Sequence, residues 1–368
     1  MNRKVREEYL SLLRCALWDS DLPPAPSHTP KLLQLANAHV TLPLITDVFQ
    51  LSGYPLSPEN REKMEEILSK ATRLNQELDR EVTAILQEWA AEGIRGVLLK
   101  GPGLARNYPR PGLRGCGDLD LWVPDRDYRR ACDLLLKREK ALGKIRTLDK
   151  GEKHMSVYRG LIIVEVHRRL LVMPEYAQDI LWQGMEKEGL SKDLAPVDID
   201  GVTVFTPEPT FNALFVFAHA WEHFRGSGVG LRQLSDWTLF LHARARSLDR
   251  KRLGAWLEAL QLMKPWQVFG ALAVHGLGLP AEEMPFYDAR YRRRGACLLR
   301  MILREGNFGR NRPARKNRIE RSAFVNSLHT ALSLPVRAVR LLPVFPALAY
   351  SILRNGLTDG LRKLFKGR

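Results

Sequence analysis

The chain has 368 residues, 45% of them hydrophobic, and a net charge of +16, which excludes a disordered chain and allows two or three folded domains. Its four cysteines are far apart, which excludes a disulfide-rich fold and a Cys-x-x-Cys site and is typical of reduced cytosolic thiols. The sequence contains no run of 18 apolar residues, so no transmembrane helix is expected, and the first residues have no apolar signal core. We therefore expect a cytoplasmic protein that is at most peripheral at the inner membrane face.

The first block, residues 1–92, is predicted to be a helical region. Helices are expected near residues 3–17 and 41–51 and from about Ser57 to Ala91. Ser57 suits an N-cap, and Pro58 suits the first helical position.

The second block, residues 93–206, alternates strand and helix patterns. Strands are expected near residues 95–99, 118–123, 153–158 and 161–167, and a helix from about Asp125 to Glu139. Helical periodicity returns in residues 207–305, and residues 306–368 form a basic, partly amphipathic tail. The pattern predicts an α+β fold, in which a small mixed β-sheet of four or five strands, with helices on one face, is flanked by helical N- and C-terminal regions.

A glycine-rich turn follows the first predicted strand. Lys100, Gly101 and Gly103 come directly after the apolar run that ends at Leu99. Backbone N–H groups of such a turn can bind a phosphate, and the lysine would add a positive charge. The same residues also suit a plain turn, with Pro102 starting a helix.

Two acidic residues share one face of the next strand. Because side chains alternate along a strand, Asp118 and Asp120 point the same way, and Leu119 and Leu121 point into the core. Adjacent carboxylates repel each other unless a cation lies between them, and Mg²⁺ prefers oxygen ligands and phosphates. The pair predicts a metal-dependent phosphoryl or nucleotidyl transfer site, although many Asp-x-Asp triplets are solvated turns.

A third carboxylate, Glu165, lies in the β-prone run from Leu161 to His167. A carboxylate in a central strand is unfavourable unless it is paired or bound to a metal. An edge strand or an ion pair with Arg168 or Arg169 is the alternative. For His167, on the same face, a structural hydrogen bond is favoured over metal ligation because the site is rich in oxygen.

Together these motifs resemble the DNA polymerase β-like nucleotidyltransferase superfamily, in particular a large bacterial branch of nucleotidyltransferase-family proteins. The branch has a Leu-Lys-Gly turn, an arginine after a Tyr-Pro segment, Asp-x-Asp-x-x-Val and Val-Glu-x-His. The matching residues are Leu99-Lys100-Gly101, Tyr108-Pro109, Arg114, Asp118 to Val123, and Val164 to His167. A looser match continues through His219, His223, Arg232 and Asp236.

The resemblance implies that Asp118, Asp120 and Glu165 bind the catalytic Mg²⁺ or Mn²⁺ ions, with an NTP such as ATP as substrate. It places Lys100, Gly101 and Gly103 at the nucleotide. Arg114 is also expected to bind the nucleotide, near the rim of the cleft, unless it is a structural clamp on the loop of residues 106–117. Better-known members have Gly-Ser where this chain has Lys100-Gly101, which makes the contacts of the turn differ.

The second helical block adds candidates for the acceptor side. Arg232 and Asp236 are spaced for an ion pair on one helix, and together with His167 they are candidates for acceptor binding. His219 and His223 are also four residues apart, but no His-Glu-x-x-His frame links them, so core or surface positions are favoured over a zinc site.

The positive charge is concentrated at the end of the chain. Residues 290–368 contain 19 lysines and arginines and 3 acidic residues, and the preceding 289 residues have no net charge. This asymmetry indicates an anionic partner, such as RNA, an acidic membrane surface or a polyanionic acceptor, unless the charges only form a solvated face. A predicted amphipathic helix from about Ala347 could lie on a membrane or pack onto the protein itself.

Three functions are compatible with these features. The first is a metal-dependent nucleotidyltransferase acting on a small molecule, sugar or protein. The second is an RNA-directed nucleotidyltransferase that uses the basic C-terminal region. The third is a non-catalytic binding or scaffold member of the fold, against which the intact acidic triad argues.

Overall fold

A computed structural model describes residues 2–141, 146–150, 153–159, 162–309 and 335–354. The α-helices are α1 (Arg3–Trp18), α2 (Thr29–Ala38), α3 (Leu42–Ser52), α4 (Pro58–Ala91), α5 (Pro102–Ala105), α6 (Asp125–Ala141), α7 (Tyr176–Gly189), α8 (Pro209–Arg225), α9 (Leu231–Arg244), α10 (Arg250–Ala259), α11 (Met263–Leu272) and α12 (Arg292–Glu305). The strands are β1 (Val97–Leu98), β2 (Asp118–Trp122), β3 (Arg146–Lys150), β4 (His154–Arg159), β5 (Ile162–His167), β6 (Ala195–Ile199) and β7 (Val202–Thr206). The predicted α+β class is confirmed.

The main sheet has five strands in the order β1-β2-β5-β4-β3. Strands β2 and β5 are parallel, and the other neighbouring pairs are antiparallel, so the sheet is mixed as predicted. Strands β6 and β7 form a separate hairpin that the sequence interpretation missed. Its turn has Asp200 at φ 52° and Gly201 at φ 78°, the left-handed pair that a tight two-residue hairpin turn requires.

The sheet has one apolar face and one polar face. The apolar face packs against α4 and α6, and the shared core contains Leu78, Val82, Ile85, Leu119, Leu121, Ala131, Leu135, Val164 and Val166. Helix α4 begins where expected, with the Ser57 side chain accepting a hydrogen bond from the backbone N–H of Asn60. The polar face, which carries Asp118, Asp120 and Glu165, is therefore free to border a cavity.

The N-terminal helices pack against the C-terminal helical block rather than standing apart from it. One apolar cluster includes buried residues of α1, α2 and α3 together with those of α8 to α12. Trp18 Nε1 donates a hydrogen bond to the carbonyl of Leu277 at 2.6 Å, which ties α1 to the end of the α11 region. The boundaries at residues 92, 206 and 305 remain predictions.

The described part of the tail packs onto the protein. Residues 335–341 and 346–354 are helical, and between them Phe345 contacts Trp221 and Phe224, with ring centroids 5.0 and 5.6 Å apart. Ala349, at the start of the predicted amphipathic helix, is buried in the same apolar cluster as residues of α8, whereas the part beyond residue 354 lies outside the described residues. Among the residues that the structure describes, no helix combines the length and hydropathy needed to cross a membrane.

His39 links the N-terminal helices to the C-terminal block and should make stability sensitive to acid. It is fully buried, its Nδ1 accepts from the backbone N–H of Leu231, and its Nε2 donates to the carbonyl of Leu303, both at 3.4 Å. Burial lowers the pKa of His39 to about 4. Because this lies below the unfolded value of about 6.5, its contribution to stability is complete above that pH and is lost as the pH falls towards 4.

The prediction is tested with His39→Gln, whose side chain keeps a hydrogen-bond donor but does not titrate. The wild type should have the larger free energy of unfolding at pH 7, measured with urea, and we expect its difference from the variant to be smaller by roughly 1–3 kcal/mol at pH 4. Parallel stability profiles of the two proteins over this range would contradict the prediction.

Candidate functional site

Three carboxylates lie together on the polar face of the sheet. Asp118 and Asp120 alternate with the buried Leu119 along β2, so both point to this face. In the parallel pairing of β2 with β5, Asp120 stands directly beside Glu165. The structure thus brings the three acidic residues onto one face of two neighbouring strands.

Asp120 is the buried centre of this group. Its side chain is 1% exposed, and its Oδ1 accepts hydrogen bonds from Lys100 Nζ at 3.0 Å and His167 Nε2 at 3.1 Å. Burial alone would raise the pKa of Asp120, but the positive charge of Lys100 and the hydrogen bond from His167 outweigh it and hold the pKa below its usual range. Its other oxygen, Oδ2, is buried without a hydrogen-bond partner among the described residues.

Lys100 reaches the acids because the chain turns sharply after β1. Gly101 has φ +61°, and a Cβ there would lie 3.2 Å from the backbone oxygen of Asp118, so the turn needs glycine. Lys100 Nζ also donates to His219 Nε2 on α8 at 3.2 Å. Burial would lower the pKa of Lys100, but Asp120 and Asp118 raise it above its ordinary value, which keeps the ammonium charged.

The histidines of α8 are neutral. Burial, followed by the charge of Lys100, lowers the pKa of His219 well below its usual value and that of His223 to about 4. The two Nε2 atoms are 3.2 Å apart, and since His219 Nε2 accepts from Lys100, His223 is the donor between them. His223 Nδ1 then accepts from the Ser227 hydroxyl at 3.1 Å.

A cavity of about 330 Å³ separates the polar face of the sheet from α8 and α9. The sheet side and the turn supply Lys100, Asp118, Asp120, Lys153, His154, Glu165 and His167. The helical side supplies Phe215, Val216, His219, Glu222, His223, Arg232, Gln233 and Asp236. The wall with the three carboxylates therefore faces a wall that has two neutral histidines, one arginine and two acidic residues, Glu222 and Asp236.

Arg114 is buried in an ion pair with Asp236. Its side chain is 1% exposed, and its Nε and one Nη donate to the two oxygens of Asp236 at 2.7 and 2.8 Å. Tyr108 donates to the same carboxylate at 2.8 Å, and Arg232 lies 3.6 Å from it. Arg114 thus clamps the loop before β2 onto α9.

The carboxylate set fits a divalent cation. Three acids on one face, and a buried oxygen with no hydrogen-bond partner in the described part of the chain, are oxygen donors of the kind that Mg²⁺ or Mn²⁺ takes. In the structure, the ammonium group of Lys100 is the positive charge that neutralises Asp120.

Residues 25–278 match the family described as uncharacterised nucleotidyltransferases, which is more than half of the chain. The chain belongs to this family. No curated protein is significantly similar to it. Among solved structures, an antigenic nucleotidyltransferase-like protein from Paracoccidioides brasiliensis is similar at 16% identity and a TM-score of 0.32, over 51% of this chain and 88% of that chain.

The part that matches the uncharacterised nucleotidyltransferase family contains all three carboxylates and both walls of the cavity. It ends before Arg290, where the basic excess of the chain begins. The exposed Arg290 and the exposed start of α12 at residues 292–294 therefore lie outside the matched region.

The structure brings together most, but not all, of the predicted site residues. Lys100, His167, Arg232 and Asp236 line the cavity with the acids. Gly101, Gly103 and Arg114 are not among its lining residues. Gly103 instead faces a separate cavity of about 170 Å³, where an added Cβ would lie 3.1 Å from Thr206 and 3.3 Å from Leu98.

Sequence reasoning missed His154, Lys153 and Glu222, all of which line the cavity. His154 lies directly opposite His167 in the β4–β5 pairing, so a predicted hairpin register would have indicated it. Lys153 Nζ and Glu222 are 3.5 Å apart across the cavity edge, and no local pattern marks this long-range pair.

Proposed function

We propose that this protein is a metal-dependent nucleotidyltransferase of the DNA polymerase β-like superfamily, which moves a nucleoside monophosphate from an NTP to a small molecule, sugar or protein. The observation that carries the proposal is the convergence of Asp118, Asp120 and Glu165 on one face of β2 and β5, beside a cavity. Membership of a nucleotidyltransferase family supports the reaction class.

Asp118, Asp120 and Glu165 would hold the metal ions, and Mg²⁺ or Mn²⁺ bound there would neutralise phosphate charge and orient the NTP. In the transfer, an acceptor hydroxyl oxygen forms a bond to the α-phosphorus. The bond between that phosphorus and the bridging oxygen breaks, and pyrophosphate leaves with the electron pair. The hydroxyl proton passes to a base, and the carboxylate of Glu165, which faces the same cavity, would accept it.

The acceptor would enter from the side of α8 and α9. Both oxygens of Asp236 accept hydrogen bonds from Arg114, so Asp236 has a structural role in the helical wall. Arg232 is the positively charged residue of this wall that lines the cavity. Lys100 now neutralises Asp120, and it would be able to bind phosphate oxygens once a bound metal ion neutralised this carboxylate instead.

The proposal is tested by following the two ends of a labelled NTP. The protein is incubated with cell extract, Mg²⁺ or Mn²⁺, and each NTP labelled at either the α- or the γ-phosphate. A nucleotidyltransferase transfers the α-label to an acceptor and releases pyrophosphate. Transfer of the γ-label alone would identify a kinase, and no transfer from any NTP would contradict the proposal. RNase treatment of the product tests the RNA-directed alternative, because it would release the label from an RNA acceptor.

Lys100→Met should weaken nucleotide binding more than turnover. An ammonium group that contacts phosphate is worth about 1.5–3 kcal/mol, so we expect KM for the NTP to rise by roughly 10- to 100-fold with a smaller change in kcat. Lys153→Met, which alters a half-exposed lysine at the edge of the same cavity, is the matched control and should change KM less. An unchanged KM in Lys100→Met would contradict the assignment.

A further inference from the structure

A second group of metal-binding side chains lies next to the carboxylates. We propose that His154, Glu165 and His167 form a binding site for a transition-metal dication of the zinc class, with Glu165 shared between this site and the carboxylate pair on β2. The inference rests on the proposed function for the role of Glu165, and it deepens that function by naming the class of metal that this half of the site prefers.

The three side chains are fixed by the pairing of two strands. In the antiparallel register of β4 with β5, His154 stands directly opposite His167, and Glu165 precedes His167 by two residues on the same face. Each residue offers one ligand atom, and these atoms all lie within 4.8 Å of one another. A site built on strands is held more precisely than one built on loops.

The distances suit a small cation. Ligand atoms at 2.0–2.1 Å from a tetrahedral ion are separated by about 3.4 Å. Glu165 Oε2 and His167 Nε2 are already 3.4 Å apart, and the imidazole rings of His154 and His167 have centroids 5.0 Å apart. The ligand atom that His154 offers lies within 4.8 Å of those of Glu165 and His167.

The local charge favours a cation here. His167 Nε2 lies 3.1 Å from Asp120 Oδ1 and 3.4 Å from Glu165 Oε2, so oxygens of two carboxylates converge on one ring nitrogen. His167 is 8% exposed, and its other nitrogen, Nδ1, is buried without a partner among the described residues. Ser156 supports Glu165 from the neighbouring strand, with its hydroxyl donating to Oε1 at 3.4 Å.

The ligand types select the metal. Mg²⁺ and Mn²⁺ prefer oxygen ligands, and Mg²⁺ keeps several waters, whereas imidazole nitrogens are preferred by Zn²⁺, Co²⁺, Cu²⁺ and Fe²⁺. Two histidines and one carboxylate leave coordination positions open for water or for a substrate oxygen. The Asp118–Asp120 side therefore suits a hard ion, and the His154–His167 side suits a softer one.

The test uses Co²⁺, which reports nitrogen coordination by its visible absorption. We expect the full-length wild type to bind one Co²⁺ with visible bands, and we expect His154→Ala and His154→Gln to lose at least about tenfold in affinity. His223→Ala, which removes a histidine on the opposite wall, is the matched control and should retain the site. Zn²⁺ should displace the Co²⁺ at equal concentration, whereas Mg²⁺ should not do so in tenfold excess.

A measurement on the wild type avoids any dependence on how the variants fold. Cu²⁺, which imidazole nitrogens bind well, should show coupling to ¹⁴N in pulsed electron paramagnetic resonance when it occupies this site. Wild-type Co²⁺ affinity in both His154 variants, displacement by Mg²⁺, or bound Cu²⁺ without ¹⁴N coupling would each overturn the inference.

Failure of the inference and failure of the proposed function give different results. Asp118→Asn should leave the Co²⁺ site intact, because Asp118 is not among its ligands. Cobalt binding that depends on His154 in a protein that transfers no nucleotide would contradict only the proposed function. If the protein transfers nucleotide with Mg²⁺ but its Co²⁺ affinity is unchanged by the His154 substitutions, only the inference is contradicted.

Discussion

Asp120→Asn is expected to abolish nucleotidyl transfer, with a loss in kcat of at least about a thousandfold. The substitution removes one charge from the centre of the carboxylate set. It also replaces either the hydrogen-bonded Oδ1, or Oδ2, which no described residue hydrogen-bonds, with an amide nitrogen that cannot bind a cation. Asp125→Asn is the matched control, because this aspartate lies at the exposed start of α6 with its side chain 80% exposed. Its activity should equal that of the wild type.

The same variant should also be less stable in the absence of metal. Repulsion between Asp118 and Asp120 alone would predict that neutralising either one stabilises the fold. The structure reverses this expectation for Asp120, because Lys100 and His167 hold its pKa below the usual range, and a lowered pKa stabilises the folded protein above the unfolded pKa. A melting temperature of Asp120→Asn above that of the wild type, or residual transfer near the wild-type rate, would contradict this interpretation.

Asp236→Asn should give the largest loss of stability, about 3–5 kcal/mol in the free energy of unfolding measured with urea. Asp236 is the buried partner of Arg114 and also accepts from Tyr108, so neutralising it leaves a buried guanidinium without its counter-charge. The surface pair of Arg130 with Glu92, both about half exposed, is the control, and Arg130→Met should lose less than about 1 kcal/mol.

A double variant separates the ion pair from its burial. Replacing both partners, as Arg114→Met with Asp236→Leu, should recover much of the stability that Asp236→Asn loses, because the buried guanidinium of Arg114 is removed together with its counter-charge. If Arg114 instead binds nucleotide, Arg114→Met would raise KM for the NTP while the stability of Asp236→Asn stays within 1 kcal/mol of the wild type.

Local patterns in the sequence were sufficient for much of the fold. The Ser57-Pro58 start of α4 and the alternation in β2 and β5 are properties of neighbouring residues, and the structure has them as predicted. Helix α2 was missed although Leu32, Leu35 and Ala36 have helical spacing and Pro30 suits its first turn. The β6–β7 hairpin was missed although Asp200-Gly201 between alternating valines is a hairpin signal.

The candidate site was harder to predict because half of it depends on long-range packing. The shared face of Asp118, Asp120 and Glu165 follows from strand alternation and from the pairing of β2 with β5. By contrast, the ion pair of Arg114 with Asp236 joins residues far apart in the chain, and the contact of Lys100 with His219 requires α8 to lie across the sheet. No local spacing encodes these contacts.

The central claim is that Asp118, Asp120 and Glu165 hold the metal ions that bind the nucleotide. Crystals of the protein soaked with Mn²⁺ and a non-hydrolysable NTP analogue test it directly, because Mn²⁺ can be located by its anomalous scattering. We expect an anomalous peak at roughly 2.0–2.3 Å from carboxylate oxygens of Asp118 and Asp120, with the triphosphate of the analogue coordinated to the same ion. An analogue bound elsewhere, or Mn²⁺ absent from both aspartates at millimolar concentration, would contradict the claim.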